Sequence, residues 1–147
     1  VMVYGHSTDC YDEKNSVELY SYAEFNGFDN DDKYRLMDIS ARGSNRDGAA
    51  LRYVAEALSK RPEAVKLLIL VSDGQPADTG YCGTAAEEDL RGIKQEYQRK
   101  GILFVAAAIG NDKQNIERIY GDSFLDITDL NQLPTKLTGV VKRHIRV

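Results

Sequence analysis

Several kinds of chemistry lack their raw material in this sequence. Only two of its 147 residues are Cys and two are His, and Lys plus Arg (19) fall short of Asp plus Glu (23). A net charge of -4 with a pI near 5.2 leaves no basic footprint, so a nucleic-acid partner is not expected. No apolar run approaches the roughly 20 residues that cross a bilayer, which excludes a membrane span. No secretory pattern opens the chain and Cys10 and Cys82 make no disulfide framework, so reduced, unpaired thiols in a cytoplasmic protein are the expectation. His and Cys this sparse argue against zinc. No GxGxxG follows a strand, no GxxxxGK[ST] offers amides to a phosphate, and no GxSxG presents a nucleophile. His6 and His144 have no evident nucleophile and acid to work with, and an enzyme is starved of parts.

What is present is enough apolar chain, 42% of residues, for one domain (1–147) with a core. "VMVYG" (Val1–Gly5) reads as a buried strand, and "NSVELYSYAEF" alternates like a half-buried one. The polar connection between them is short enough for antiparallel neighbours. "NGFDNDDKY" reads as an acidic surface loop. "DGAALRYVAEALSKRP" has the spacing of an amphipathic helix, capped by Asp47 or Ser44. "VKLLILVS" and "ILFVAAAIG" are continuous apolar runs, predicted as strands buried on both faces. Between them "TAAEEDLRGIKQEYQRKG" predicts a helix with a capping box from Thr84 to Glu87. A short helix, "KQNIERIYG", a short strand, "FLDIT", and a last helix starting near Asp129 complete the pattern. The reading is α/β: a doubly wound, mostly parallel sheet with helices on both faces and one antiparallel edge strand.

Ligand sites in such folds lie beyond the carboxyl ends of the strands. The residues placed there are His6, Ser7, Thr8 and Asp9, the loop Gly43–Asp47, and Asp73, Gly74 and Asp78 after "LLILV". Hydroxyls, amides and carboxylates are hard ligands suited to Mg²⁺ or Ca²⁺. Each has a plainer reading. Asp73-Gly74 also describes an ordinary turn, Asp47 a helix cap, and Ser7 and Thr8 hydroxyls that satisfy turn backbone. Tyr81, on a Gly-flanked loop, reads as an exposed partner contact or as packing.

The segments "SNRDGAAL", "LLILVSDGQPAD" and "GYCGTAAEEDLRGI", in this order and spacing, resemble a von Willebrand factor A domain. The closer likeness is to the domains of NorD, a nitric oxide reductase activation protein, and CobT, a cobaltochelatase subunit. DGxPxD followed by Tyr-x-Gly is the NorD-like element, and N-x-D-G is nearer the cobaltochelatase form. The resemblance implies a vWA-like, Rossmann-like sheet carrying a metal-ion-dependent adhesion site. It would hold Mg²⁺ or Mn²⁺, with Ca²⁺ also possible, and leave one position open for a partner's carboxylate. Asn45 falls on the family's Thr position and Asp73 on its closing Asp, with Asp47 in the same loop as Asn45. Ser7, Gly74, Asp78 and Tyr81 become candidate partner contacts.

The family's DxSxS segment has no counterpart, because Val1 opens inside the strand that follows it. The resemblance therefore predicts an N-terminally truncated sheet lacking its central strand and first helix, with an incomplete ion site. Its exposed edges would invite a homodimer. It further implies a non-catalytic module beside a MoxR-type AAA+ ATPase, activating or metallating a target metalloenzyme. The alternatives are a Mg²⁺-dependent hydrolase built around Asp73 and a metal-free interaction domain.

Overall fold

The computed structural model describes residues 1–8, 16–25, 29–108 and 113–144, together with the backbone alone of the last two of these. Asp9, Cys10 and the side chain of His144 lie outside the described residues, as does part of the acidic loop. Strand β1 (Val3–Thr8) pairs antiparallel with β2 (Val17–Ala23). It runs three residues further than the apolar run suggests, because the ladder continues through His6↔Leu19, Ser7↔Glu18 and Thr8↔Val17. Where a loop is expected, a short helix α1 (Asp32–Met37) forms. Arg35 there reaches back to Asp29 (2.6 Å) and Asp32 (2.7 Å), giving the acidic run a local purpose.

Helix α2 (Asp47–Ser59) follows the predicted 3–4 spacing, with Leu51, Ala55 and Leu58 buried. Its cap position is Arg46, with no side-chain cap, and Asp47 is its first residue rather than the cap. An acid in the first turn still complements the helix dipole. β3 (Lys66–Ser72) lies parallel to β6 (Ile102–Ala108), which lies parallel to β7 (Phe124–Asp126), in the order β3-β6-β7. A two-residue hairpin, β4 (Ala77–Asp78) with β5 (Tyr81–Cys82), sits between β3 and helix α3 (Gly83–Arg99). α3 begins one residue before Thr84, so the capping box does not form. Glu87 instead pairs with Arg91 and with Arg118 of helix α4 (Lys113–Tyr120). The last helix, α5 (Leu133–His144), is entered by a 3-10 turn that Asp129 caps through Asn131 N (3.0 Å).

Alternation along β6 divides the core. Phe104, Ala106 and Ala108 face α2, α3 and α4 in one cluster, with Ile93, Tyr97, Ile116 and Tyr120. Val105 and Ala107 face α5 through Leu125, Ile127 and Val140. Helices thus cover both faces, as a parallel sheet requires. β3 departs from the expectation of two buried faces. Leu68 is buried under α2 and α3, yet Ile69 and Val71 are 43% and 57% exposed. The reason is lateral position: among the described residues β3 pairs with β6 alone, and α5 packs over β6 and β7. β1–β2 and β3–β6–β7 are separate ladders, bridged by α2, which contacts all of β1, β2, β3 and β6.

Candidate functional site

Three segments meet beyond the ends of β1 and β3. The first join is backbone: Thr8 N donates to Ser44 O (2.8 Å), and Gly43 N donates to the Ser7 hydroxyl (2.8 Å). Gly43 has to be glycine for this, since a Cβ would lie 2.4 Å from the Thr8 carbonyl oxygen. The second join is between the Asn45 loop and the hairpin. Asn45 bridges Ala77 as a single β-type pair, and Ala77 N donates to Asn45 Oδ1 (3.1 Å). That bond turns the amide nitrogen of Asn45 toward Asp47 Oδ1 (3.2 Å).

The third join is ionic. Arg46 Nε donates to Asp78 Oδ2 (2.8 Å) and Arg46 Nη2 to the Thr79 carbonyl (2.7 Å). The other Asp78 oxygen accepts from the Thr8 hydroxyl (3.3 Å). Behind the hairpin, Tyr81 donates its hydroxyl to Asp89 Oδ2 (2.8 Å), and Arg52 pairs with Asp89 Oδ1 (2.7 Å). Burial and then the Asp89 hydrogen bond raise the Tyr81 pKa. Asp47 is buried with His6 Nε2 at 3.2 Å from its Oδ1. Nearby, Tyr120 is fully buried, and its pKa is raised by burial first and the Asp47 charge second. Its hydroxyl and His6 Nδ1 are buried without a hydrogen-bond partner among the described residues.

Asn45, Asp47, Ser7, Asp78 and Tyr81 are therefore brought into one polar network. Tyr81 is half-buried rather than exposed. Asp73 is exposed and makes no hydrogen bond or ion pair among the described residues, while Gly74 N donates to the Ser72 hydroxyl (3.3 Å). The donors are hard oxygens of the kind Mg²⁺ or Mn²⁺ takes, an ion that commonly keeps several waters beside one or two carboxylates. Asp47 and Asn45 are already engaged, and among the described residues no three His, Cys, Asp or Glu side chains converge. By themselves these residues do not fit an ion site. A groove of about 640 Å³ lies along β2 and α1, lined by Tyr20, Tyr22, Tyr34 and Arg42 among others, and includes none of the site residues.

Sequence reasoning missed the parts played by Arg46, Asp89 and Arg52. Arg46 had a signal, a lone cation between two candidate ligands and within reach of acids. Arg52 and Asp89 had none, because the angle between α2 and α3 brings them together.

A parallel α/β sheet with an antiparallel strand pair beside it, and polar loops gathered at the strand ends, is the architecture of a von Willebrand factor A-type domain. Residues 35–145 match the family described as the cobalamin biosynthesis protein CobT VWA domain, and the chain belongs to that family. It is 29% identical over 114 residues to the uncharacterised protein YojO of Bacillus subtilis (strain 168), covering 74% of this chain and 18% of YojO. It is 27% identical over 113 residues to protein NorD of Brucella suis biovar 1, covering 75% of this chain and 18% of that protein. With protein NorD of Stutzerimonas stutzeri the identity is 32% over 102 residues, covering 69% and 16%. The chain thus spans less than a fifth of the length of these relatives. No solved structure matches it. Among the described residues no helix is long and apolar enough to cross a membrane.

Proposed function

We propose that this domain is a non-catalytic protein-binding module whose contact face is the tip of the loop at Asp73, Gly74 and Gln75. The observation that carries the reading is a contrast within one loop. Asp78 and Tyr81 are tied down, whereas Asp73 is exposed and has no hydrogen bond or ion pair among the described residues. A carboxylate held out on an anchored loop loses little conformational freedom on binding, which favours its use as a contact. Family membership and the likeness to NorD proteins support a partner of the MoxR-type AAA+ ATPase class, with a target metalloenzyme remodelled or metallated by the pair. Nucleotide hydrolysis belongs to that ATPase, since this chain has no phosphate loop. Mg²⁺, Mn²⁺ or Ca²⁺ held at Asp73 would take the rest of its oxygens from water and from the partner.

The test is surface plasmon resonance of the chain against a MoxR-type ATPase from the same genome, with and without Mn²⁺. Saturable binding that Asp73→Asn weakens at least tenfold is expected, with no turnover of phosphorylated substrates by the chain alone. Dependence of binding on Mn²⁺ would assign the ion a place at this contact. Turnover that Asp73→Ala abolishes would replace the reading with a Mg²⁺-dependent hydrolase built around Asp73.

A further inference from the structure

We infer that Arg46 and Asp78 are the positioning pair of this face, and that the Asp78 carboxylate ties its three segments to one another from a single side chain, reinforcing the Thr8–Ser44 and Asn45–Ala77 joins. The inference rests on reading the Asp73 tip as a binding face, and it names what holds that face in shape.

The geometry is specific. One oxygen of Asp78 takes a hydrogen bond from Thr8 at the end of β1, and the other takes one from Arg46 in the loop before α2. Asp78 itself lies in the hairpin that follows the Asp73 tip. Its side chain is only 6% exposed, so it is not placed to meet a partner directly. Arg46 adds a second bond, to the Thr79 carbonyl, so one guanidinium grips both a side chain and the backbone of the hairpin. Arg46 also occupies the cap position of α2 without making a side-chain cap hydrogen bond, so its guanidinium is given over to the hairpin. Charge-assisted, partly buried bonds of this type are the stronger members of a hydrogen-bond network. Leaving the Asp78 carboxylate buried without its cation is correspondingly unfavourable.

The rear latch, Tyr81–Asp89–Arg52, fixes the far end of the hairpin to α3 and α2 by hydrogen bonds that involve neither Thr8 nor Asn45, and it meets the front only where the Arg46 guanidinium lies 5.8 Å from the centre of the Tyr81 ring. The two latches therefore share no hydrogen bond. Loss of the rear one loosens the hairpin's base, and loss of Arg46 leaves the Ala77–Asn45 and Asp78–Thr8 bonds to hold the hairpin alone.

Hydrogen exchange by NMR on the 147-residue chain tests this with two reporter amides, Ala77 N (bound to Asn45 Oδ1) and Thr8 N (bound to Ser44 O). In Arg46→Gln and Asp78→Asn, exchange at Ala77 should quicken at least tenfold while amides of β6 keep their protection. Thr8→Val, which removes only the third bond, should show a smaller change of the same kind. Arg46→Lys, which keeps the charge, should recover part of the protection. Affinity for the MoxR-type ATPase should fall at least tenfold in Arg46→Gln and partly return in Arg46→Lys. Unchanged exchange at Ala77 in both Arg46→Gln and Asp78→Asn would overturn the inference, as would quickened exchange that leaves ATPase affinity intact. If the unsubstituted chain binds no ATPase, the binding reading fails, and the exchange data still judge the clamp.

Discussion

Gly48 carries a constraint that only the assembled structure explains. A Cβ at this position would lie 2.2 Å from Tyr81 Oη and 2.4 Å from Asp89 Oδ2, so glycine is what lets the rear latch sit against the first turn of α2. Both atoms end side chains and could swing away, but only by breaking the 2.8 Å bond that joins them. Gly48→Ala should therefore cost about 1–3 kcal/mol, the usual range for overpacking. Combined with Tyr81→Phe the cost should be less than the sum of the two single changes, because they strain one contact. Chemical denaturation of the two variants and the double variant measures this. Asp73 makes the opposite case. Exposed, and without a hydrogen bond or ion pair among the described residues, it should tolerate Asn within about 0.5 kcal/mol of the original stability, the usual range for surface substitutions. Asp73→Asn is thus a clean probe of binding.

At the scale of elements, Glu87 joins two helices that sequence patterns leave unrelated. It is buried in α3 and pairs with Arg118 of α4 and with Arg91 one turn on. The Arg118 hydrogen bond, more than any other influence, holds the Glu87 pKa below the ordinary glutamate range. A carboxyl whose folded pKa is depressed contributes stability above its unfolded pKa and loses it as pH falls toward the folded value. Wild-type stability should therefore drop more steeply than that of Glu87→Gln as pH is lowered from about 5 to about 3, across the unfolded glutamate value of roughly 4.3. Thermal melts across that range decide it, and parallel curves would show the pair to be inert. On the same helix Ile93 is fully buried in the main cluster, so Ile93→Ala should cost about 2–5 kcal/mol.

At the scale of the molecule, the layering was legible because its signals are local. Unbroken apolar runs marked β3 and β6, and 3–4 spacing marked α2 and α3. Two features were not legible. The exposed face of β3 depends on which strand lies beside it and on where α5 packs. The polar network depends on contacts between residues such as Thr8 and Asp78, 70 positions apart. The site was legible as a set of residues, Asn45, Asp47, Asp73 and Asp78, but not as a division of labour among them. Spacing cannot say which carboxylates the fold will engage. Among the described residues β3 pairs along one edge only, with Ile69 and Val71 on its exposed face, and an edge of this kind can pair with another chain. Analytical ultracentrifugation should show concentration-dependent self-association that a Lys at position 69 suppresses, and a strict monomer would remove the homodimer from the account.

Where a partner touches the domain is the most direct test of the Asp73 face. Adding a MoxR-type ATPase to the isotopically labelled chain and following its backbone amides should broaden or shift Asp73, Gly74 and Gln75 first, then Asn45. Amides along α5 and the outer edge of β2 should stay in place. Perturbation centred on β2 and α1, with the Asp73 tip unmoved, would contradict it.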